Sequence, residues 1–371
     1  MNWHATTPVW LSWTLLAFLF FEGTQQEVVM LNGGRKMRVF DLFCGAGGSS
    51  CGARMAGATI VGGIDLWEPA IETFKLNFPK AKTWRARIDR LTAKSVAREI
   101  GKINLLLASP ECTNHTFAKG NRRHGDEQEQ SRRTAFEVVR FARAFEPRWV
   151  VVENVVSMRH WSQYAKWKKR LNGLGYHLRE VVLDSQDFGV AQSRRRLFVI
   201  CDRDREPAVP EIPMHQACSV NDILHCDQSN GFNYDMKPLF GCTPARAKDT
   251  LDRAQRAITA LGPKKPFLIV YYGTDAAGGW QALDRPLRTI TTLDRFALVR
   301  PSRDGHLMRM LQPPELAKAM GFPDNYSWPD TTRRERIKLI GNAVAPPLMR
   351  AVVATLLQSA RPAASLYTAR H

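Results

Sequence analysis

The sequence predicts a doubly wound, mostly parallel α/β sheet with a smaller domain inserted near its end, and three observations lead there. Short apolar runs of strand length alternate with helical patterns from Met37 to Asp202, which is the rhythm of βαβ units. The first run feeds a glycine cluster, Cys44-Gly45-Ala46-Gly47-Gly48, at a strand-to-helix turn. After Arg203 the rhythm stops, with prolines at 207, 210 and 213 marking a boundary. A chain of 371 residues, 44% of them hydrophobic, can bury a substantial core and is neither disordered nor fibrous. We divide it into an extension (1–36), a catalytic and cofactor-binding domain (37–202), an inserted domain (203–315), a return to the first domain (316–360) and a tail (361–371).

Lys and Arg total 53 against 35 Asp and Glu, a net charge of +18. The usual magnitude for a small domain is about 2–8, so the excess points to a polyanionic partner, nucleic acid first. Seven cysteines, an odd number with no CxxC spacing, indicate neither a disulfide framework nor a zinc ribbon. His215, Cys218, His225 and Cys226 lie close together but fit no standard zinc spacing. We read them as incidental, expect no metal, and expect a reducing, cytoplasmic compartment.

Val9 to Phe21 is an apolar run broken only by Ser12 and Thr14. It is short for a membrane span and lacks the basic flank and cleavage site of a signal peptide. Our expectation is a start codon assigned too far upstream, with Met30 or Met37 as the true start. A membrane anchor is the alternative.

The elements follow in order. Met37 to Phe43 reads as a buried strand, Ser49 to Ala56 as a helix, and Ile60 to Ile64 as a second strand ending at Asp65. Glycines at such a turn let the backbone approach a ligand and take positive φ. An acidic residue at the end of the second strand, twenty residues after Gly45, is placed to hold ribose hydroxyls. Leu105 to Ala108 is a third apolar strand. It stops at Pro110, and Cys112 follows in polar sequence, where a thiol sits just beyond a strand's carboxyl end. Taken alone, that cysteine reads better as a small buried hydrophobe near a sheet edge than as a nucleophile. Trp149 to Val152 is another buried strand and delivers Glu153 to the same edge. Arg194 and Arg196 alternate into the run Leu197 to Ile200 and so share one side of an extended segment. In the insert, Ala245 to Leu261 reads as a helix and Phe267 to Tyr272 as a strand. Gly273, Gly278 and Gly279 make a loop able to approach DNA. Lys237, Arg246, Lys248, Arg253, Arg256, Lys264 and Lys265 are candidate phosphate contacts. Gly341 to Val344 opens a last helix running to about Ser359.

Several of these stretches together resemble one family. Asp41-Leu42-Phe43-Cys44-Gly45-Ala46-Gly47-Gly48 resembles the first signature motif of the cytosine-C5 DNA methyltransferases, and Asp65-Leu66 resembles the second. Pro110-Glu111-Cys112 stands at their Pro-Cys motif. Glu153-Asn154-Val155, Gln192-Ser193-Arg194-Arg195-Arg196 and Gly341-Asn342-Ala343-Val344 follow in the family's order. Arg285 to Thr292 and Glu315 to Pro323 are similar as well.

The resemblance implies a Rossmann-like methyltransferase sheet with a target-recognition domain, S-adenosyl-L-methionine as cofactor and double-stranded DNA as partner. It implies Cys112 as nucleophile on cytosine carbon 6, Glu153 as N3 donor, Arg196 as O2 contact and Arg194 in support. Phe43, Gly45, Ala46, Gly47, Asp65, Leu66, Asp89, Pro110, Asn342 and Val344 would hold the cofactor. Thr113 to Arg132, polar and without apolar periodicity, resembles the loop that closes over a base flipped from the duplex.

The chemistry fits these residue types. Carbon 5 of cytosine is a poor nucleophile, and thiolate attack at carbon 6 activates it. The charge this places on the ring calls for a proton donor, which a carboxylic acid kept neutral by burial supplies. The sequence departs from the family where Glu111 replaces the usual proline and Thr113 the usual glutamine, and where Arg87-Ile88-Asp89 stands for an Asp-Ile pair. Two rivals follow: a transfer-RNA cytosine methyltransferase on the same scaffold, and a DNA-binding protein without catalysis. The expected state is a monomer, and the restriction-modification context and recognition sequence stay open.

Overall fold

The computed structural model describes residues 36–110, 126–214, 217–224, 234–272 and 278–360, with the backbone alone for 126–133. The apolar runs form the centre of a seven-stranded sheet. In chain order its strands are β1 (Arg38–Leu42), β2 (Thr59–Asp65), β3 (Lys82–Arg85), β4 (Leu105–Ala108), β5 (Trp149–Asn154), β6 (His177–Asp184) and β7 (Arg195–Asp202). Their spatial order is β3-β2-β1-β4-β5-β7-β6, and only β7 runs against its neighbours. β1, β4 and β5 are apolar on both faces because both faces are covered. Leu105 and Leu107 point into one core, Leu106 and Ala108 into the other.

Helices α1 (Gly48–Met55), α2 (Glu68–Asn77), α3 (Ala93–Ile100), α4 (Asp126–Phe145) and α5 (Tyr164–Asn172) supply the crossovers. The core holding Leu106 is completed by Val96, Val138, Phe141 and Trp167 of α3, α4 and α5. The polar stretch read as a loop to Arg132 is already helical from Asp126. Glu, Gln and Arg are good helix formers.

A second sheet lies between residues 237 and 310. Its strands are β8 (Lys237–Pro238), β9 (Phe267–Val270), β10 (Trp280–Ala282), β11 (Phe296–Ser302) and β12 (Gly305–Met310). Their order is β10-β9-β11-β12-β8, and every pair is antiparallel. Helix α6 (Lys248–Leu261) covers one face, packing Ala254 and Ala257 near Phe267, Ile269 and Val299. It begins three residues later than the pattern suggests, after the cis Thr243–Pro244 bond.

The chain returns through α7 (Pro313–Ala319), α8 (Arg333–Asn342) and α9 (Pro346–Ser359). The sequence reading had one helix opening at Gly341, but Gly341 and Asn342 end α8 and the chain is extended at Ala343. The physical reason is Pro346-Pro347, which lacks the donors to continue a helix but suits the first turn of a new one. By length and composition Arg333–Ser359 passes as a membrane span, yet 67% of its apolar window is buried. It contributes Leu348, Met349, Val352 and Val353 to the main core.

Candidate active site

Four chain segments meet at the carboxyl edge of the central sheet. The first is the turn after β1. Phe43, a non-glycine residue, has φ +57°, and Gly45 and Gly47 have φ +52° and +78°. A phenylalanine in the left-handed region is strained, and such strain marks sites where the backbone is held for a purpose. The two glycines serve different ends. A methyl group built on Gly45 would meet only the Phe43 oxygen at 4.0 Å, so Gly45 faces open space. One built on Gly47 would strike Phe78 and the Tyr326 hydroxyl, both at 2.8 Å, so Gly47 is required by packing. Tyr326 holds the turn from beneath, donating to the Ala46 carbonyl at 2.5 Å.

Asp65, at the end of β2, braces the same turn. Its carboxylate accepts the Gly45 N–H at 2.9 Å and the Trp67 N–H at 2.8 Å. Leu66 beside it is 58% exposed, and Lys338 of α8 lies 4.2 Å over the Trp67 ring. Asp89 sits in a 3₁₀ turn, Ile88–Arg90, exposed and paired with Arg87 at 2.8 Å. That bond holds its carboxyl below the ordinary carboxylate value. The turn itself is anchored from α4: Arg140 donates to the carbonyls of Ile88 and Leu91, both at 2.6 Å.

The second segment leaves β4. Ser109 N–H donates to the Leu42 carbonyl at 3.2 Å, tying this exit to the glycine turn. Pro110 is buried, and its carbonyl accepts the Asn154 amide at 3.0 Å. Cys112, with Glu111 and Thr113, lies outside the described residues.

The third segment is the end of β5 with the start of β7. Glu153 is 7% exposed and pairs with Arg196 at 3.1 Å. Burial pushes its carboxyl above the ordinary value, against the pull of Arg196 and then of Arg194. Arg194 turns its guanidinium elsewhere, to the carbonyls of Ile290 at 3.1 Å and Gly341 at 2.9 Å. Gln192 accepts the Ile290 N–H at 2.8 Å, and Thr289 donates to the Ser193 carbonyl at 2.9 Å. Arg194 and its neighbours thus fasten the connection between β10 and β11, and the end of α8, to the central sheet.

The fourth segment is the break between α8 and α9. Asn342 is exposed, and Val344 is buried. The Val344 carbonyl would lie 2.2 Å from a methyl group on Gly48, and the Pro346 carbonyl 2.4 Å from one on Gly52. Only glycines permit α1 to approach α9 so closely. Of the candidate phosphate contacts, Arg253 lies against Gly279 and Arg256 donates to the Gly278 carbonyl at 3.0 Å. Residues 273–277 of that loop lie outside the described residues.

The sequence reading gave no role to Asp41, Asn154, Gln192 or Arg140. Asp41, Asn154 and Gln192 stand inside quoted motifs, which is the signal that marks them. Arg140 carries no signal, because its bonds go to backbone carbonyls about fifty residues away.

The sequence model of the C-5 cytosine-specific DNA methylase family matches residues 37–358. The chain is 28% identical over 330 residues to the type II methyltransferase M.HgiDI of Herpetosiphon aurantiacus, covering 87% of this chain and 94% of that one. It is 31% identical over 203 residues to M.AgeI of Thalassovita gelatinovora, covering 53% of this chain and 46% of that enzyme. Among solved structures, the Entamoeba histolytica methyltransferase EhMeth aligns with a TM-score of 0.62 at 15% identity, covering 88% of this chain and 100% of that one. The S. pombe Dnmt2 methyltransferase aligns at 0.60 and 17%, covering 87% and 99%.

Proposed function

Because the chain belongs to the C-5 cytosine-specific DNA methylase family, whose members are DNA (cytosine-5)-methyltransferases using S-adenosylmethionine, we propose that it methylates carbon 5 of a cytosine within a specific double-stranded DNA sequence. The observation that carries this reading is a convergence at one sheet edge. The glycine turn, the Pro110 exit towards Cys112 and the buried Glu153–Arg196 pair all lie there.

In this reading Cys112 forms the sulfur–carbon bond at carbon 6 of a cytosine flipped from the duplex. Glu153 donates a proton at N3 as negative charge develops on the ring. The Arg196 pair favours the ionised carboxylate in the free protein. When Arg196 turns to the base O2, Glu153 loses its main counter-charge, and burial then favours the acid the donor role needs. Asn154 fixes the Pro110 carbonyl and so the point from which the cysteine loop departs.

The cofactor site fits its ligand on two counts. Gly45 fronts open space beside the exposed Leu66, and a buried carboxylate oxygen of Asp41 beneath the turn lacks a hydrogen-bond partner. Phe43, Gly45, Ala46, Gly47, Asp65, Leu66, Asp89, Pro110, Asn342 and Val344 would line it. Once bound, S-adenosylmethionine supplies an electrophilic methyl group. Residues 203–315 would form the target-recognition domain, with Lys237, Arg246 and Lys248 against phosphates. We read the protein as a cytoplasmic monomer of the restriction-modification type, as its type II relatives suggest.

The test is transfer of labelled methyl from S-adenosylmethionine to duplex DNA and to transfer RNA, with Cys112→Ser beside the wild type. Label should enter DNA as 5-methylcytosine and vanish in the variant. Label in RNA alone would overturn the substrate, and DNA binding without any transfer would favour a binding protein.

A further inference from the structure

Helix α8 is fastened at both ends. At its start Arg333 donates to Asp294 at 2.8 Å, to the Gln312 side chain at 2.7 Å and to the Leu311 carbonyl at 2.6 Å. At its end the Gly341 carbonyl accepts Arg194 at 2.9 Å. A methyl group built on Gly341 would strike the Thr291 carbonyl, so the helix is seated on backbone there as well. A helix held in this way presents its other side chains from fixed positions.

Lys338, midway along α8, spends that position on an aromatic ring. It is exposed, and its ammonium stands 4.2 Å over Trp67. Its neighbours are engaged elsewhere. Glu335 closes the capping box with Thr332, and Arg336 donates to the Pro329 carbonyl at 2.6 Å and lies 5.4 Å over Trp328. An ammonium over a ring face is drawn by the ring's quadrupole, and indole is the strongest of the aromatic partners.

Trp67 is not an arbitrary ring. It is the extended residue from which α2 starts, with φ −86° and ψ 125°. Its N–H donates to one oxygen of Asp65 at 2.8 Å, and the other oxygen accepts the Gly45 N–H at 2.9 Å. One carboxylate therefore joins the residue beneath Lys338 to the glycine turn. Leu66 stands between them in sequence and is 58% exposed, whereas Trp67 packs against the main core. Trp67 is the anchored member of that pair and Leu66 the exposed one.

We propose that Lys338 is a positioning residue for the cofactor site: by pinning the Trp67 ring from α8, it holds Asp65, and through it the Gly45 turn, in the geometry that receives the nucleoside end of the ligand. This rests on the reading that Asp65 and the glycine turn hold S-adenosylmethionine. Lys338 acts through two contacts and not on the reacting atoms. Its loss changes how firmly the cofactor is held, in the ground state and the transition state alike.

Calorimetric titration of the full chain with S-adenosylmethionine tests this. Lys338→Met keeps the aliphatic stem and removes the charge, and should weaken binding about two- to fivefold. The KM for the cofactor should rise by the same factor, with the turnover number on genomic duplex DNA unchanged at saturating cofactor. Lys338→Arg, which keeps a cation over the ring, should restore wild-type affinity. With Trp67→Leu already in place, Lys338→Met should cost nothing more. A through-space charge effect has the opposite sign, because removing a cation would tighten a positively charged ligand. Unchanged or tighter binding in Lys338→Met, or an equal loss in the Trp67→Leu background, would overturn the inference while leaving the cofactor site intact. Failure of the wild-type chain to bind S-adenosylmethionine would overturn the cofactor reading itself, and the inference with it.

Discussion

At the scale of single residues the site is governed by carboxyls taken out of water. Glu153 is raised by burial and restrained by Arg196. Its donor form is present below the raised value and is lost as pH rises through it. The turnover number should therefore fall on the alkaline side. Glu153→Gln, which cannot give up a proton, should lower it by about 10²-fold or more and flatten that limb. A pH–rate profile of both proteins checks this. An unchanged alkaline limb in the variant would assign the limb to another group. Glu153 was legible in the sequence because an apolar strand leads straight to it. The Asn154–Pro110 bond was not, since it spans forty-four residues and joins a side chain to a backbone carbonyl that no pattern marks.

At the scale of elements, the approach of α1 to α9 is set by backbone contact. A methyl group on Gly48 would sit 2.2 Å from the Val344 carbonyl, a clash with backbone that side-chain motion cannot relieve. Gly48→Ala should destabilise the protein by about 1–3 kcal/mol, visible as a lower melting temperature. Because Val344 and Asn342 share that break, cofactor affinity should fall as well. A variant with unchanged melting and affinity would mean that α9 moves without cost. The central strands were readable because burial on both faces makes them continuous apolar runs. β3 was not, because Lys82–Arg85 is short, polar and only partly covered. The helical start of α4 was missed for a related reason: its first turns carry no apolar stripe.

At the scale of the whole molecule, the net charge of +18 and the antiparallel second sheet belong together in the proposed grip on DNA. Affinity for duplex should weaken steeply with salt, and the double change Arg246→Ala, Lys248→Ala should reduce the log–log slope by about 2. An unchanged slope would remove α6 from the contact. The prolines after Arg203 mark where the alternating rhythm of the sequence stops, and the strands of the second sheet begin at Lys237. The sequence left no trace of the order β10-β9-β11-β12-β8, because pairing among short strands depends on contacts distant in the chain. One feature of the fold reaches further. The turn that begins the site follows β1, yet its last wall arrives with Val344 and α9, some three hundred positions later. While the chain is still being made, the central strands can pair, but the pocket they face has no side there. The proposed cofactor pocket therefore gains that wall only when the last helix has been made. The two helices that meet last run side by side, so residues 36 and 360 lie toward the same end of the sheet. Joining them through a short linker and opening the chain in the exposed stretch 211–214 should give a circular permutant that still folds, with its pocket assembled early instead of late.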